Sequence, residues 1–192
     1  LKGSELADSI VIDFHKMLMT PGLNTLILFS NGQTSYSTFA QKASYLLDDE
    51  EERDWYNYAR RTMECTKSMM GLNVYMQLLL GGKDLFAENI DRLYDMGKTF
   101  ASMCESYKYI EVAMKPDANI VCFRFNDQSK NLDEVNKQIR NQILKNGNFY
   151  IVQTRLQGKL YLRVSIMNPL TREEDFQNLL NEVTEIGGKL RK

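Results

Sequence analysis

The stretch ADSIVIDFHKMLMTPGLNTLILF, residues 7–29, contains two short apolar runs separated by the only histidine of the chain and a lysine. Residues 9–14 are rich in β-branched side chains, which is typical of a β-strand. Residues 23–29 form a continuous apolar run, which predicts a second strand that is buried on both faces. His15 and Lys16 therefore follow the first strand, at the sheet edge where ligands bind in α/β proteins.

The bulk composition describes a globular chain of 192 residues, with 43% apolar residues, 26% charged residues and a formal net charge of -1. The charges are interspersed, so neither a nucleic acid nor a membrane surface is an expected partner. No apolar run approaches the roughly 20 residues of a membrane span. The three cysteines, Cys65, Cys104 and Cys122, are far apart, so we expect no disulfide framework, no metal site and a reducing, cytoplasmic location.

The rest of the chain predicts alternating helices and strands. Residues 35–59 lack clear periodicity and predict a long loop that contains the acidic run DDEEERD. Helices are expected at 60–80, 83–106, 131–146 and from a cap at Thr171 to Ile186, and strands at 109–114, 119–125, 149–156 and 159–167. We therefore predict an α/β chain with two parts, residues 1–104 and a small α+β domain of ββαββα order at residues 105–192.

The lysine after the first strand suggests imine chemistry. A lysine amine is a compact nucleophile, and such amines condense with carbonyl substrates or with pyridoxal phosphate. His15 can donate to a phosphate oxygen, and Asp13 can fix the tautomer of His15 or accept from a backbone group. The His-Lys pair alone is weak evidence for such a site. Most His-Lys pairs of this kind are a surface lysine beside a histidine whose hydrogen bonds are satisfied.

The longer pattern is more specific. Residues 7–9 (Ala-Asp-Ser), residues 13–16 (Asp-Phe-His-Lys) and Pro21 resemble the segment around the Schiff-base lysine of the group II pyridoxal-phosphate-dependent amino-acid decarboxylases. That family includes glutamate, aromatic-amino-acid, cysteine-sulfinate and L-2,4-diaminobutyrate decarboxylases. The resemblance implies that Lys16 forms the Schiff base, and that His15 and Asp13 belong to the cofactor site.

Two later segments follow in the same family order. Arg60 and Arg61 match the arginine pair after the mobile loop, whereas residues 64–67 depart from the usual Asp-Ala-Leu-Lys and keep only Lys67. The segment LYLRVSIMNP resembles the C-terminal strand whose arginine, here Arg163, binds the substrate α-carboxylate. Its Asn-Pro ending favours the glutamate and diaminobutyrate branch.

The resemblance also implies an architecture. Family members have the fold type I, aspartate aminotransferase-like architecture, act as homodimers and are more than twice as long as this chain. Residues 1–104 would be the C-terminal part of the large, cofactor-binding domain, and residues 105–192 the small C-terminal domain. The N-terminal half of the family cofactor site cannot be located, so we expect this piece alone to have little activity.

The family protonates its product with a tyrosine from the mobile loop. The candidates are Tyr56 and Tyr58, with Tyr45 a weaker one. The expected reaction is decarboxylation of glutamate, 2,4-diaminobutyrate or a similar L-amino acid. The alternatives are an aldehyde synthase or lyase of the same family, and a non-catalytic piece that provides a dimerisation surface.

Overall fold

The computed structural model describes residues 2–39, 58–64, 66–128 and 131–191. The described chain is of the α/β class and divides into two compact units, Leu1–Lys83 and Asp84–Lys192. Residues 84–104, which the sequence analysis grouped with the first part, therefore cluster with the second unit. In the described ranges, no helix is long and apolar enough to cross a membrane.

The first unit is built on a β-hairpin. Strands β1 (Ser9–Asp13) and β2 (Thr25–Phe29) pair antiparallel, with Ser9 opposite Phe29 and Asp13 opposite Thr25. Both strands are where the sequence predicts them, but the predicted burial of β2 is wrong. Three successive β2 side chains are 38–47% exposed: Leu26, Ile27 and Leu28. A two-stranded ribbon has too few neighbours among the described residues to cover both of its faces.

A short helix, α1 (Gly32–Thr38), follows β2, so the predicted loop at 35–59 is wrong at its start. Asn31 caps this helix, because its side-chain oxygen accepts the backbone N–H of Gln33 at 3.0 Å. Tyr45, Tyr56 and the acidic run lie outside the described residues. A single 3-10 turn, Tyr58–Arg61, precedes the next helix.

Helix α2 (Gly71–Ser106) begins about ten residues later than predicted. Two side-chain hydrogen bonds help to hold the residues before it: the amide of Asn24 donates to the carbonyl of Met70 at 2.6 Å, and Lys67 donates to Thr62 at 3.1 Å. The predicted break between the helices at 60–80 and 83–106 is confirmed, because Gly82 leaves the helical conformation with φ 65°. A positive φ is readily available to glycine alone.

The second unit is an antiparallel sheet of order β3-β4-β6-β5 with helices packed against it. The predicted ββαββα order is confirmed. The elements are β3 (Ile110–Val112), β4 (Ile120–Phe125), α3 (Leu132–Asn146), β5 (Val152–Leu156), β6 (Lys159–Ser165) and α4 (Glu173–Leu190). Gln157 and Gly158, with φ 50° and 78°, make the two-residue turn between β5 and β6.

The core of this unit lies between one sheet face and the helices. Phe123 of β4 contacts Phe100 of α2 edge-on with ring centroids 5.3 Å apart, and Phe100 contacts Phe176 of α4 at 4.8 Å. Burial of each such ring contributes about 1.5–3 kcal/mol. Because side chains alternate along a strand, the residues between the core positions point to the opposite sheet face, and these are Cys122, Arg124, Tyr161 and Arg163.

The two ends of α4 differ from the sequence predictions. The helix is capped by Arg172, one residue after Thr171, and Asp175 accepts the backbone N–H of Arg172 at 2.8 Å. It also continues through Gly187 to Leu190, so the predicted end at Ile186 is wrong. A Cβ at position 187 would lie 2.6 Å from the ring of Phe125, so this glycine permits close packing and does not end the helix.

Candidate active site

The loop after β1 presents Lys16. The loop is closed by the backbone, since Thr20 donates to the carbonyl of Phe14 at 2.9 Å and Phe14 donates to that of Asn24 at 2.8 Å. Met19 also donates to the carbonyl of Lys16 at 3.1 Å and has φ 58°, in the left-handed region. This compact turn brings the end of β1 back towards the start of β2.

The amine of Lys16 is accessible and pairs with a carboxylate. Its Nζ donates to Oδ2 of Asp13 at 2.5 Å, and the lysine side chain is 55% exposed. The hydroxyl of Thr25 donates to the other carboxylate oxygen at 2.7 Å. These hydrogen bonds, that of Lys16 first and that of Thr25 second, lower the pKa of Asp13 below its usual value. Asp13 therefore stays ionised and holds the amine in place.

The ring of His15 is fixed by the backbone of Asn24. Its Nδ1 lies 3.0 Å from the backbone nitrogen of Asn24 and 3.0 Å from the carbonyl oxygen of the same residue. The carbonyl already accepts the N–H of Phe14, and Asn24 is buried, so the arrangement that satisfies every group has the Asn24 N–H donating to Nδ1. The ring proton is then on Nε2, which can donate to an acceptor. Asp13, which was predicted to fix the tautomer of His15 or to accept from a backbone group, binds the side chains of Lys16 and Thr25 instead.

Arg163 lies on the polar face of the second unit's sheet. Cys122 on β4 and Val152 on β5 are its neighbours across the sheet. Burial raises the pKa of the Cys122 thiol, and the positive charge of Arg163 opposes that rise. Arg163 also lines a groove of about 710 Å³, together with mainly apolar residues that include Ile151, Ile166, Met167, Leu170 and Phe176.

The charge of Arg163 has no counter-ion within the described residues, in contrast to its neighbours. Arg124 binds the carboxylate of Glu111 through two nitrogens, at 2.8 and 3.1 Å. Arg155 pairs with Asp133 at 2.9 Å. Both of these arginines therefore already have an acidic partner. A half-buried guanidinium that lines a groove and has no counter-ion among the described residues is suited to bidentate binding of a ligand carboxylate.

The remaining predicted residues have simpler surroundings. Tyr58 is 79% exposed in the turn before α2, and Tyr56 and Tyr45 lie outside the described residues. Arg61 donates to the hydroxyl of Tyr36 at 2.7 Å and stacks 4.3 Å from its ring centre. In the part of the chain that the structure describes, no cluster of three His, Cys, Asp or Glu residues could hold a metal ion.

Three residues of the site were not identified from the sequence. Asn24 orients His15, Thr25 orients Asp13, and Gln77 of α2 bonds to the loop at Met19 and Thr20. Gln77 is a polar residue inside the apolar run VYMQLLL, which is the one sequence signal that could have pointed to it. Its partner Thr20 is 57 residues away along the chain.

Comparison with known proteins gives one family. The model of the pyridoxal-dependent decarboxylase conserved domain matches residues 1–126. The L-2,4-diaminobutyrate decarboxylase of Rhizobium meliloti (strain 1021) is 25% identical over 193 residues, which span 99% of this chain and 39% of that protein. The aromatic-L-amino-acid decarboxylase of Bacillus atrophaeus is 24% identical over 188 residues, 95% of this chain and 39% of its own length.

The fold also has solved counterparts. The crystal structure of Oryza sativa TDC with PLP and tryptamine superposes on 100% of this chain and 41% of its own, with a TM-score of 0.86 and 21% sequence identity. The chain thus spans about two fifths of the length of the proteins that it matches.

Proposed function

The chain belongs to the pyridoxal-dependent decarboxylase family, and on that premise we propose that it is the C-terminal part of an enzyme that removes carbon dioxide from an L-amino acid. The observation that carries the proposal is Lys16. It lies inside the matched region, directly after β1, and presents an accessible amine held by Asp13. Glutamate, 2,4-diaminobutyrate and similar amino acids are the substrates that we propose.

The residues of the β1 loop fit the family cofactor. Pyridoxal phosphate, when bound, supplies an aldehyde that condenses with amines and a conjugated ring that accepts the electron pair left by the departing carboxyl group. The Lys16 amine is exposed enough to reach an aldehyde, and Nε2 of His15 is a donor for a phosphate oxygen. Nucleophile and phosphate donor thus come from adjacent residues on one turn.

Asp13 acts through Lys16. An ionised carboxylate would repel a phosphate group, and both oxygens of this one are already bonded to Lys16 and Thr25. Its proposed part in the cofactor site is to hold the lysine amine in position. Thr25 fixes the carboxylate for that purpose.

Arg163 is the proposed ligand of the substrate α-carboxylate. Its guanidinium has two parallel N–H donors, which match the two oxygens of a carboxylate. Its availability within the described residues supports the role, because Arg124 and Arg155 are already paired with acidic residues. The apolar lining of the adjoining groove lowers the local dielectric constant and strengthens such a pair.

The proton that replaces the lost carboxyl group is proposed to come from a tyrosine. Tyr58 is freely exposed in this structure, and Tyr56 remains a prediction. Substitution of each tyrosine by phenylalanine in the complete protein identifies the donor. The variant that lacks the proton donor should convert the substrate to the aldehyde or form far less amine. The variant at the other tyrosine should behave as wild type.

We propose that the complete enzyme contains a further part besides this chain. The exposed apolar side chains of β2, Leu26, Ile27 and Leu28, support the proposal that a further part of the enzyme covers the hairpin. We propose the fold type I architecture for that enzyme, with residues 105–192 as its small domain. Residues 1–104 are proposed to belong to its large domain, although residues 84–104 cluster with the second unit in this structure. A homodimer and a cytoplasmic location belong to the same proposal.

Product analysis on the complete protein tests the function. Carbon dioxide and the matching amine are expected, and both should fall below detection in Lys16→Ala. Lys98→Ala is the matched control, because Lys98 is also exposed and also pairs three residues back, with Asp95 at 2.8 Å. Carbon dioxide with an aldehyde would indicate an aldehyde synthase. No product from any amino acid, with cofactor bound, would overturn the proposal and favour a non-catalytic role.

A further inference from the structure

Gln77 connects helix α2 to the turn that carries Lys16. Its side-chain oxygen accepts the hydroxyl hydrogen of Thr20, and its Nε2 donates to the carbonyl of Met19 at 3.1 Å. One amide orientation satisfies both bonds. Thr20 is only 3% exposed, so its hydroxyl depends on a protein partner in this structure.

The two residues that Gln77 binds are those that close the turn. Met19 has φ 58°, a conformation that an unstrained methionine rarely adopts. Residues in this region persist only where the surrounding structure fixes them. Met19 donates to the carbonyl of Lys16, and Thr20 donates to that of Phe14. The bonds from Gln77 therefore fix the backbone on the C-terminal side of Lys16.

We propose that Gln77 is a positioning residue for Lys16. It does not contact the lysine. It holds Met19 and Thr20 so that the turn keeps the amine at the place where the cofactor aldehyde must meet it. The inference rests on the proposed function, because it assigns Gln77 a role through the cofactor-binding lysine.

Asn73 provides a matched control from the same helix. It lies one turn before Gln77 and reaches the same loop, at the carbonyl of Pro21, but over 3.4 Å and in an exposed position. A weak, solvated contact of this kind adds little. If any link between α2 and the loop were sufficient, Asn73→Ala and a Gln77 variant would have similar effects.

The test compares Gln77→Met, Thr20→Val and Asn73→Ala in the complete holoenzyme. Methionine keeps the length of glutamine and valine keeps the shape of threonine, so each removes hydrogen bonds without a large change in volume. The rate of pyridoxal phosphate release is followed by its visible absorbance, kcat and KM are measured, and circular dichroism monitors folding. We expect cofactor release about tenfold faster in Gln77→Met and Thr20→Val, with kcat about tenfold lower and KM within about twofold.

The double variant Gln77→Met/Thr20→Val separates positioning from general destabilisation. Because the two residues share one hydrogen bond, we expect it to release cofactor about as fast as the worse single variant. Asn73→Ala should match wild type within about twofold. The inference would be overturned if Gln77→Met released cofactor at the wild-type rate with the wild-type kcat. It would also be overturned if both quantities changed only in proportion to a lower unfolding temperature.

Lys16→Ala distinguishes the two levels of the argument. If Lys16→Ala keeps a covalent cofactor adduct, the proposed function fails whatever Gln77 does. If Lys16→Ala loses the adduct and Gln77→Met behaves as wild type, only the role of Gln77 fails. Should Gln77→Met not fold, Thr20→Val carries the test, because it removes the bond between Thr20 and Gln77 and leaves the bond from Gln77 to Met19 in place.

Discussion

The amine of Lys16 lies 2.5 Å from Oδ2 of Asp13, and the hydroxyl of Thr25 occupies the opposite side of that carboxylate. The lysine is thus held by an anion three residues earlier in the chain, at the end of β1. An exposed ion pair of this kind contributes little to stability. Its consequence is geometric, because it limits where the amine can go.

The pKa of Asp13 should respond to Thr25. A carboxyl whose pKa is lowered in the folded state stabilises the fold at pH values above its unfolded pKa. That stabilisation is lost as the pH falls through the folded pKa. We therefore expect Asp13 to titrate below 3.8 in the protein and closer to 3.8 in Thr25→Val. Carbon-13 NMR of the aspartate carboxyls follows this directly. A midpoint at the ordinary value in both proteins would contradict the described contacts.

Arg163→Lys should weaken substrate binding strongly. Lysine keeps the charge but cannot make the bidentate pair, and kcat/KM of the complete enzyme is expected to fall about 10- to 100-fold. Arg155→Lys is the control on the neighbouring strand, where the pair with Asp133 is exposed and a change within about twofold is expected. Equal losses in both variants would remove the carboxylate role from Arg163.

Gly187 and Gly188 should respond oppositely to alanine. At Gly187 the added Cβ would meet the ring of Phe125 at 2.6 Å, so Gly187→Ala should destabilise the fold by about 1–3 kcal/mol. A Cβ at Gly188 meets nothing within 4 Å, and Gly188→Ala in a helix should stabilise by about 0.5–1 kcal/mol. Chemical unfolding of both variants checks this. Two equally mild effects would indicate that α4 ends before residue 187.

Cys104 should be inert until the second unit unfolds. Burial raises the pKa of its thiol to about 12, so the reactive thiolate is scarce at neutral pH. Iodoacetamide labelling, read by peptide mass spectrometry, is expected to modify Cys104 only after denaturant is added. Rapid labelling of the native protein would show that the core around α2 is open.

Local patterns in the sequence were sufficient for most of the fold. The β-branched run of β1, the turn at Gln157-Gly158 and the break at Gly82 each depend on neighbouring residues, and the structure has all three. The start of α2 and the end of α4 depend on distant contacts. Asn24 binds Met70 from 46 residues away, and Phe125 leaves room only for a glycine at position 187.

The candidate site shows the same division. The sequence pattern around Lys16 identified the lysine and its neighbours, because family resemblance is carried by consecutive residues. It could not indicate that Asp13 binds Lys16 rather than His15, since that choice depends on Thr25 across the hairpin. Which arginine has no acidic partner is likewise decided by contacts across the sheet. Arg124 and Arg155 pair with Glu111 and Asp133, whereas Arg163 has no counter-ion among the described residues.

The most direct measurement is the identity of the residue that captures the cofactor. The complete protein is loaded with pyridoxal phosphate, reduced with borohydride, digested and mapped by mass spectrometry. We predict a single pyridoxyl-modified peptide that carries the adduct on Lys16, with none in Lys16→Ala and an unchanged yield in Lys98→Ala. An adduct on another lysine, or an equal yield in Lys16→Ala, would contradict the central claim.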